Sequence, residues 1–336
     1  MFSLKTNEND RGIRKVERIL TVALPFLTEK RRERIGAAAE KHGFSVRWVT
    51  DYQKVTADDV RDCEAFFGML PAELLRQAPA LRWMQCSFAG VDRYTDRSLY
   101  AGDVVLTNAS GAYGITISEH MLVTLLMLMR RMPEYHEMQK RREWYCVGEV
   151  RSVMNSVITV VGVGDIGSNF ARRIRPMGAK VRGVRRTAGA KPDFVDEIYT
   201  SDRLDEAIAD ADVVALCVPG TDATRQMFDR ERLLKMKEGA ILMNVGRGSA
   251  VDLMALAELL RAGRLGGAAI DVTEPEPLPP EHPLWTAPNA LITPHISGNM
   301  SLPLTCDLVV DIFLDNLELY AQGLPLRHVV NLANGY

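Results

Sequence analysis

The sequence predicts an α/β protein of two doubly wound parallel-sheet domains, the first of them discontinuous, and three observations carry that prediction. The β-branched run from Val157 to Val163 leads without a gap into the spacing Gly162-x-Gly164-x-x-Gly167 and then into Phe170, Ala171 and Ile174, an apolar helix face. Short apolar runs alternate with polar amphipathic stretches on either side, which is the rhythm of strand and crossover helix. At 336 residues the chain is also too long for one ordinary core.

Upstream of the glycine turn, Ile19–Leu24, Ser45–Val49, Ala65–Met69, Leu81–Ser87 and Val104–Leu106 read as strands of a small parallel domain. Its glycines make no nucleotide fingerprint, so this domain is assigned to the substrate. Within it, Ser87-Phe88-Ala89-Gly90-Val91-Asp92 ends in a small-residue turn that can aim backbone N–H groups at a carboxylate. The same stretch also reads as a plain loop with a helix start at Asp92. Asn108–Gly111 is a turn, and Ile117–Met132 is a Leu- and Met-rich helix that crosses between the domains. Tyr135–Val150 mixes charges with Trp144 and Tyr145 and reads as an exposed arm or a subunit contact.

At the glycine turn itself, each glycine has a separate task. The first permits the sharp turn, the second lets the backbone approach a pyrophosphate, and the third lets the helix pack on the strand. The anion then rests on unpaired N–H groups at the positive end of the helix dipole. This is a Rossmann-like dinucleotide site. Further strands follow at Lys180–Val184, Val213–Val218, Ala240–Val245, Gly267–Val272 and Ala290–Thr293, with helices at Leu204–Ala211, Arg230–Lys237 and Leu253–Ala262. The Pro-rich segment Glu274–Pro288 is a loop. A last helix, Ser301–Gln322, is expected to return to the first domain, giving residues 1–112 with 299–336 as the substrate domain and 113–298 as the dinucleotide domain.

Composition narrows the function further. The chain is 47% apolar and 25% charged with a formal net charge of −2, so no global field draws it to nucleic acid or an anionic membrane. Its five cysteines have neither CxxC nor metal-ligand spacing, which points to reduced thiols, a cytoplasmic setting and no metal. The N-terminal stretch MFSLKTNENDRGIRK has no apolar core for a signal peptide, and Met121–Met129 is too short to span a bilayer.

Three chemically competent residues lie just past strand ends: Arg247 in Asn244-Val-Gly-Arg-Gly248, Glu276 in Asp271-Val-Thr-Glu-Pro-Glu-Pro277, and His295 in Thr293-Pro-His-Ile-Ser-Gly298. An imidazole can give a proton to a substrate oxygen or take it back, so it can work in either direction. A carboxylate paired to it orients the ring, and a guanidinium fork suits the substrate carboxylate. These motifs, in order behind VVGVGDIG, resemble the D-isomer-specific 2-hydroxyacid dehydrogenases. FAGVD, SEH at Ser118–His120 and VPGT at Val218–Thr221 add to the likeness, which runs from about Leu81 to His328. One departure is Met154-Asn155-Ser156, where members usually have a glycine-lysine turn.

The resemblance implies an oxidoreductase acting on small 2-keto or D-2-hydroxy acids of the glyoxylate or hydroxypyruvate type, dimeric through an arm at Thr116–Val150. It implies that Arg247, Glu276 and His295 are catalytic. It puts the cofactor on Gly162, Gly164, Asp165, Ile166, Gly167, Val218, Pro219, Thr224, Val245, Gly246, Arg247, Asp271, His295, Ser297 and Gly298, with Asp271 near the nicotinamide. Substrate contacts are expected from Phe88, Ala89, Gly90, Val91, Tyr113 and Trp285, together with Arg247 and His295. His120 reads as a packed interdomain residue and Cys217 as a core residue near the cofactor. Two alternatives stand beside this reading. One is a dinucleotide-sensing binding protein of corepressor type; the other is a phosphoglycerate dehydrogenase-like enzyme, against which the chain shows no C-terminal regulatory domain.

The cofactor can be read more finely. An NAD-preferring site places an acid at the end of the second strand, about 20 residues beyond the glycine turn. No acid occurs between Asp165 and Asp193; the strand Lys180-Val-Arg-Gly-Val184 ends in Arg185-Arg186-Thr187, with Lys191 soon after. A missing carboxylate removes repulsion against a 2′-phosphate and guanidinium groups add charge-assisted bonds to it, so NADP is expected, with NAD possible. Either Arg185 or Arg186 can make the contact.

Overall fold

The computed structural model describes residues 17–332, so the N-terminal stretch read above lies outside the described residues. The first domain contains β1 (Arg18–Ala23), α1 (Glu29–Lys41), β2 (Phe44–Trp48), α2 (Ala57–Val60), β3 (Ala65–Gly68), β4 (Trp83–Cys86) and β5 (Val105–Thr107). Its five strands run parallel in the order β2-β1-β3-β4-β5. β3 and β4 are buried along their whole length, as expected for strands covered on both faces.

Two helices follow, α3 (Gly114–Met129) and α4 (Met132–Arg141). α3 begins earlier and stops earlier than the Leu/Met run suggests, because Arg131 turns the chain through a left-handed φ of 55°. The first part of the expected arm is therefore helical, a result hidden in sequence by charges around most of its circumference.

The second domain holds β6 (Val157–Val161), α5 (Asp165–Ile174), β7 (Lys180–Arg185), β8 (Glu197–Thr200), α6 (Leu204–Ile208), β9 (Val213–Leu216), α7 (Arg230–Lys235), β10 (Ile241–Asn244), α8 (Leu253–Arg261), β11 (Gly267–Ile270) and β12 (Ala290–Ile292). Its seven parallel strands lie in the order β12-β11-β10-β9-β6-β7-β8. The direction of winding reverses between β6 and β9, so the loops after those two strands flank the crevice in which ligands of such sheets bind. β8, which the sequence reading did not anticipate, is a half-buried edge strand of the sequence EIYT. At the head of β6, Asn155 takes φ 65°, the left-handed region that asparagine tolerates, so the departure from a glycine turn keeps a glycine-like shape.

The last helix, α9 (Pro303–Ala321), packs back on α1 and the first sheet. Its Phe313 ring stacks 4.0 Å from Phe67 and 5.4 Å from Trp83, and all three are fully buried. Arg31 of α1 bonds Asp307 of α9 at 2.8 Å. Behind them runs a buried polar chain: Trp83 donates to the Thr107 hydroxyl at 2.9 Å, which donates to Gln85 Oε1 at 2.7 Å, and Asn316 donates to the same oxygen at 3.0 Å. The first domain is thus discontinuous, completed by a helix from the far end of the chain. Phe313→Ala is expected to destabilise the protein by about 3–5 kcal/mol through the cavity it leaves. An unchanged urea midpoint would show that α9 contributes little to the fold.

Candidate active site

The turn after β6 is built by close approach. Gly162 has φ 94°, and a Cβ there would lie 2.6 Å from the carbonyl oxygen of Cys217. A Cβ on Gly167 would lie 2.0 Å from the Gly162 carbonyl oxygen, so strand and helix meet at backbone distance. Gly164 is different: nothing lies within 4 Å of its Cβ position, and it caps α5 without a side-chain hydrogen bond. An open N-terminus over a tight turn fits a dinucleotide pyrophosphate. Asp165 does not offer its carboxylate there. Oδ2 accepts the Gly111 N–H at 3.2 Å and Oδ1 accepts Asn169 Nδ2 at 3.1 Å, which leaves the Asp165 backbone N–H for an anion.

Around this turn the other expected cofactor residues form an interlocked rim. Ile166 is half-buried against the core. Val218 and Val245 are buried, and a Cβ on Gly246 would fall 2.5 Å from the Val218 oxygen. Thr224 donates its hydroxyl to Pro219 O at 2.7 Å and accepts from Thr221 N at 3.0 Å, holding the VPGT turn. Burial in this region pushes the Cys217 thiol up to about 12, the behaviour of an inert core residue. At the end of β7, Arg185 donates to Ala190 O at 3.1 Å, while its buried Nε has no hydrogen-bond partner among the described residues. Arg186 is exposed beside it.

Arg247 reaches from the loop after β10 into the first domain. Nε donates to Asp92 Oδ2 at 2.6 Å and Nη1 to Gly246 O at 2.8 Å. A Cβ on Gly90 would fall 1.6 Å from Nη2, so the guanidinium lies directly on the backbone of the Phe88–Val91 turn. His295 Nδ1 is 2.9 Å from Glu276 Oε2, and Glu276 Oε1 accepts the Thr273 N–H at 3.1 Å. The loops of Arg247 and Glu276 touch, since a Cβ on Gly248 would fall 2.0 Å from the Thr273 carbonyl carbon. His295 remains half exposed and able to meet a ligand. Parallel strands end on one edge, so loops after β4, β9, β10 and β11 converge.

Other expected residues are placed differently. Phe88 is half-buried, its ring 6.1 Å from Tyr94, and Ala89 is held through its carbonyl by Asn108 Nδ2 at 2.9 Å. The Val91 side chain is buried in the first domain, which leaves only its main chain for a substrate. Tyr113 is buried with its hydroxyl donated to Ser87 O at 2.5 Å; it supports the turn from behind. Gly298 packs on Tyr113 and Ile117, and Ser297 is buried. Trp285 does not join the group. It lies in a 3-10 turn, Pro283–Thr286, whose Pro283 O and Thr286 Oγ1 bond Arg261 at the end of α8. That is the edge of the sheet opposite the cleft, because the loop must return there to begin β12. Its exposed ring N–H donates to Pro279 O at 2.9 Å. Asp271 is buried, and its two oxygens accept from Thr293 Oγ1 at 2.6 Å, Ile296 N at 2.9 Å and Ser297 N at 3.1 Å. Asp92, Asn108 and Thr293 were not singled out from sequence; only their place inside FAGVD, the turn cluster and TPH hinted at them.

A crevice that can take a dinucleotide on one sheet, with a guanidinium and an imidazole–carboxylate pair facing a second domain, defines a two-domain nicotinamide-dependent oxidoreductase. The family model described as D-isomer specific 2-hydroxyacid dehydrogenase, NAD binding domain, matches residues 122–297, and the chain belongs to that family. Among its relatives is the glyoxylate/hydroxypyruvate reductase B of Serratia proteamaculans, 33% identical, covering 69% of this chain and 72% of that one. A family member from Aeromonas salmonicida subsp. salmonicida superposes with a TM-score of 0.83 at 33% identity, covering 94% and 99% of the two chains. The NADPH-dependent glyoxylate/hydroxypyruvate reductase of Sinorhizobium meliloti, in complex with NADP and sulfate, gives 0.79 at 26% identity over 95% and 100%.

Gly90→Ala tests the close approach. What must move is the tip of a flexible side chain, so the expected cost to the fold is within about 1 kcal/mol. The expected loss is in the site: KM for a 2-keto acid raised about tenfold or more, from the loss of a charge-assisted contact. Melting and steady-state kinetics check the two halves together, and an unchanged KM would detach the guanidinium from substrate binding.

Proposed function

We propose that this chain is a 2-keto acid reductase of the glyoxylate/hydroxypyruvate type that prefers NADPH. The observation that carries the reading is the His295–Glu276 pair at 2.9 Å, held on a loop beside Arg247 in the interdomain cleft. Arg247 holds the substrate carboxylate against the N–H groups of the Phe88–Val91 turn and polarises the adjacent carbonyl. His295 delivers a proton to the carbonyl oxygen as the carbon is reduced, and takes it back in the oxidative direction. Glu276 keeps Nδ1 as the donor to itself and leaves Nε2 facing the substrate. The bound nicotinamide supplies the hydride. That the Serratia and Sinorhizobium relatives are glyoxylate/hydroxypyruvate reductases supports this substrate class.

The preference for NADPH rests on Arg185 and Arg186 at the end of β7. The buried, unpartnered Nε of Arg185 is a donor in want of an acceptor where the discriminating side chain of such sites lies. Turnover of glyoxylate, hydroxypyruvate and pyruvate with NADPH and NADH tests both parts. NADPH is expected to show the lower KM, and Arg185→Ala with Arg186→Ala to abolish the difference, each lost contact costing about 1.5–3 kcal/mol at most. Equal or better use of NADH by the wild type would sink the preference. Absence of turnover with every acid would favour the sensing alternative.

A homodimer is part of the same reading. Val123, Met132 and Val150 are exposed around an apolar groove between α3 and the arm, and on the arm Tyr145 is exposed and Trp144 fully exposed. Such a contiguous patch suits a second copy. Sedimentation at micromolar concentration is expected to give a dimer, and a monomer there would defeat this part. Five free cysteines support a cytoplasmic setting, and no helix among the described residues is long and apolar enough to cross a membrane.

A further inference from the structure

His120 belongs to no step proposed above, yet it is tied to the loop that carries His295. It sits on α3, the helix that crosses between the domains, and its Nε2 is 3.2 Å from the Thr293 hydroxyl. That hydroxyl is 2.6 Å from Asp271 Oδ1, and the same carboxylate takes the N–H groups of Ile296 and Ser297 at 2.9 and 3.1 Å. The His295 N–H donates to the Asp271 carbonyl at 2.8 Å. Asp271 therefore grips the residues on the C-terminal side of His295 with its side chain and His295 itself with its backbone.

The direction of the chain of bonds follows from proton counting. An ionised carboxylate only accepts, so the single Thr293 proton goes to Asp271, and the Thr293 oxygen must accept from His120 Nε2–H. Burial holds the His120 pKa below its ordinary value, while the nearby Asp271 charge opposes that shift. Either charge state of His120 can keep a proton on Nε2. Asp271 is 3% exposed and forms no ion pair among the described residues, so its charge is compensated by these donors alone.

His295 needs such a grip because it sits at φ 53°, in the left-handed region that L side chains rarely adopt. Conformations of this kind persist only where the surroundings over-determine them. The N-terminus of α3 is also fixed across the cleft, since a Cβ on Gly114 would fall 2.2 Å from Asn169 of α5 and the Gly111 N–H meets Asp165.

We propose that His120 and Thr293 are positioning residues for the reaction, fixing the loop of His295 from the interdomain helix through Asp271. Neither touches the reacting atoms. The inference rests on the reading of His295 as the proton donor. Removal of the Thr293 hydroxyl leaves a buried carboxylate lone pair and a His120 N–H without partners, and the loop loses one of its holds. A displacement of this order at a catalytic side chain lowers turnover without removing substrate contacts.

The test uses the full chain with whichever of glyoxylate, hydroxypyruvate or pyruvate it reduces fastest. Thr293→Val keeps the volume and removes the hydroxyl; Thr293→Ser restores a hydroxyl; His120→Leu removes the outer donor. Expected for Thr293→Val is a fall in kcat of about 10–100-fold. KM for the acid and the NADPH Kd by fluorescence should stay within about threefold, and Thr293→Ser should recover most of kcat. His120→Leu should lower kcat in the same sense, and the double variant should fall no further than Thr293→Val, as expected for one chain of contacts. Circular dichroism and melting of each variant confirm the folded state. Wild-type kcat in Thr293→Val overturns the inference, as does equal loss in the Val and Ser variants or a rise in NADPH Kd that tracks the loss. His295→Ala, measured alongside, separates the two levels. Its full loss of turnover with an unaffected Thr293→Val defeats only the positioning role, whereas its retention of wild-type turnover defeats the proton-donor reading and this inference with it.

Discussion

The cleft depends on the place taken by the Arg247 guanidinium against the backbone of Gly90. Arg247 leaves the seven-stranded sheet, and Gly90 follows β4 of the five-stranded one, so the contact spans the domains. It is possible because side chains are missing on the opposing surfaces. A Cβ on Gly220 would fall 3.0 Å from Arg247 Cγ, and Asp92 draws Nε from the remaining side. With Nε committed to Asp92 and one Nη1 N–H to Gly246 O, Nη2 and the second Nη1 N–H remain for a carboxylate approaching from the cleft. Interfaces between domains of one chain are ordinarily permissive of motion. On the proposed reading of Arg247, a change in the angle between the domains would shift the guanidinium against the Phe88–Val91 turn and so change how a carboxylate is held.

The support for that arrangement lies far from it in sequence. The Phe88–Val91 turn follows β4, whose Trp83 and Gln85 belong to the buried chain that runs through Thr107 to Asn316 on α9. Each donor and acceptor in that chain is used, which rigidifies where a half-satisfied network would loosen. The tail after α9 adds to it: Val330 N donates to Leu106 O and Asn108 N to His328 O, covering the edge of β5 next to the turn that Asn108 holds. Without α9, Gln85 Oε1 would keep Thr107 but lose Asn316, and the Trp83 ring would lose its stacking on Phe313. The discontinuity of the first domain thus serves the rigidity of the Phe88–Val91 turn.

Most of the architecture was legible because it is local. A β-branched run, a glycine spacing and an apolar helix face lie within two dozen residues, and their physical consequences do not depend on anything distant. β8 escaped because EIYT is a half-buried edge strand whose pattern is weak, and α4 because MPEYHEMQKR carries charge around most of the helix. Site residues divide in the same way. Arg247, Glu276 and His295 stand at strand ends and chemistry names them. Trp285 stands in the same Pro-rich loop as Glu276 but is carried to the opposite edge of the sheet, and Tyr113 turns its hydroxyl inward to Ser87. Proximity in sequence to a motif does not set the direction of a side chain. The weight of Asp92 lies in a partner 155 residues away, and that of Thr293 in one 173 residues away. Neither partnership leaves a periodic trace.

The arginines of β7 show how one strand separates structural from available charge. Arg182 and Arg185 are three positions apart and so face opposite sides of the sheet. Arg182 is buried between Glu197 at 2.9 Å and Asp210, and the Asp210 carboxylate raises its pKa further; that guanidinium is neutralised where it sits. Removing both acids would leave a buried charge without compensation, so this cation is held by the fold. Arg185, on the other face, meets a single carbonyl oxygen and keeps a buried Nε with no hydrogen-bond partner among the described residues. It folds over Gly189, where a Cβ would fall 2.8 Å from Nη2, so the loop after β7 is shaped around the guanidinium rather than closed over it. A cation held in place by its surroundings, with donors still unmet, loses little conformational freedom on meeting a phosphate. An acid at this position would repel that phosphate and favour a ribose hydroxyl. The choice of side chain at the end of one strand therefore bears on the cofactor more directly than the glycine turn, which would receive either dinucleotide alike.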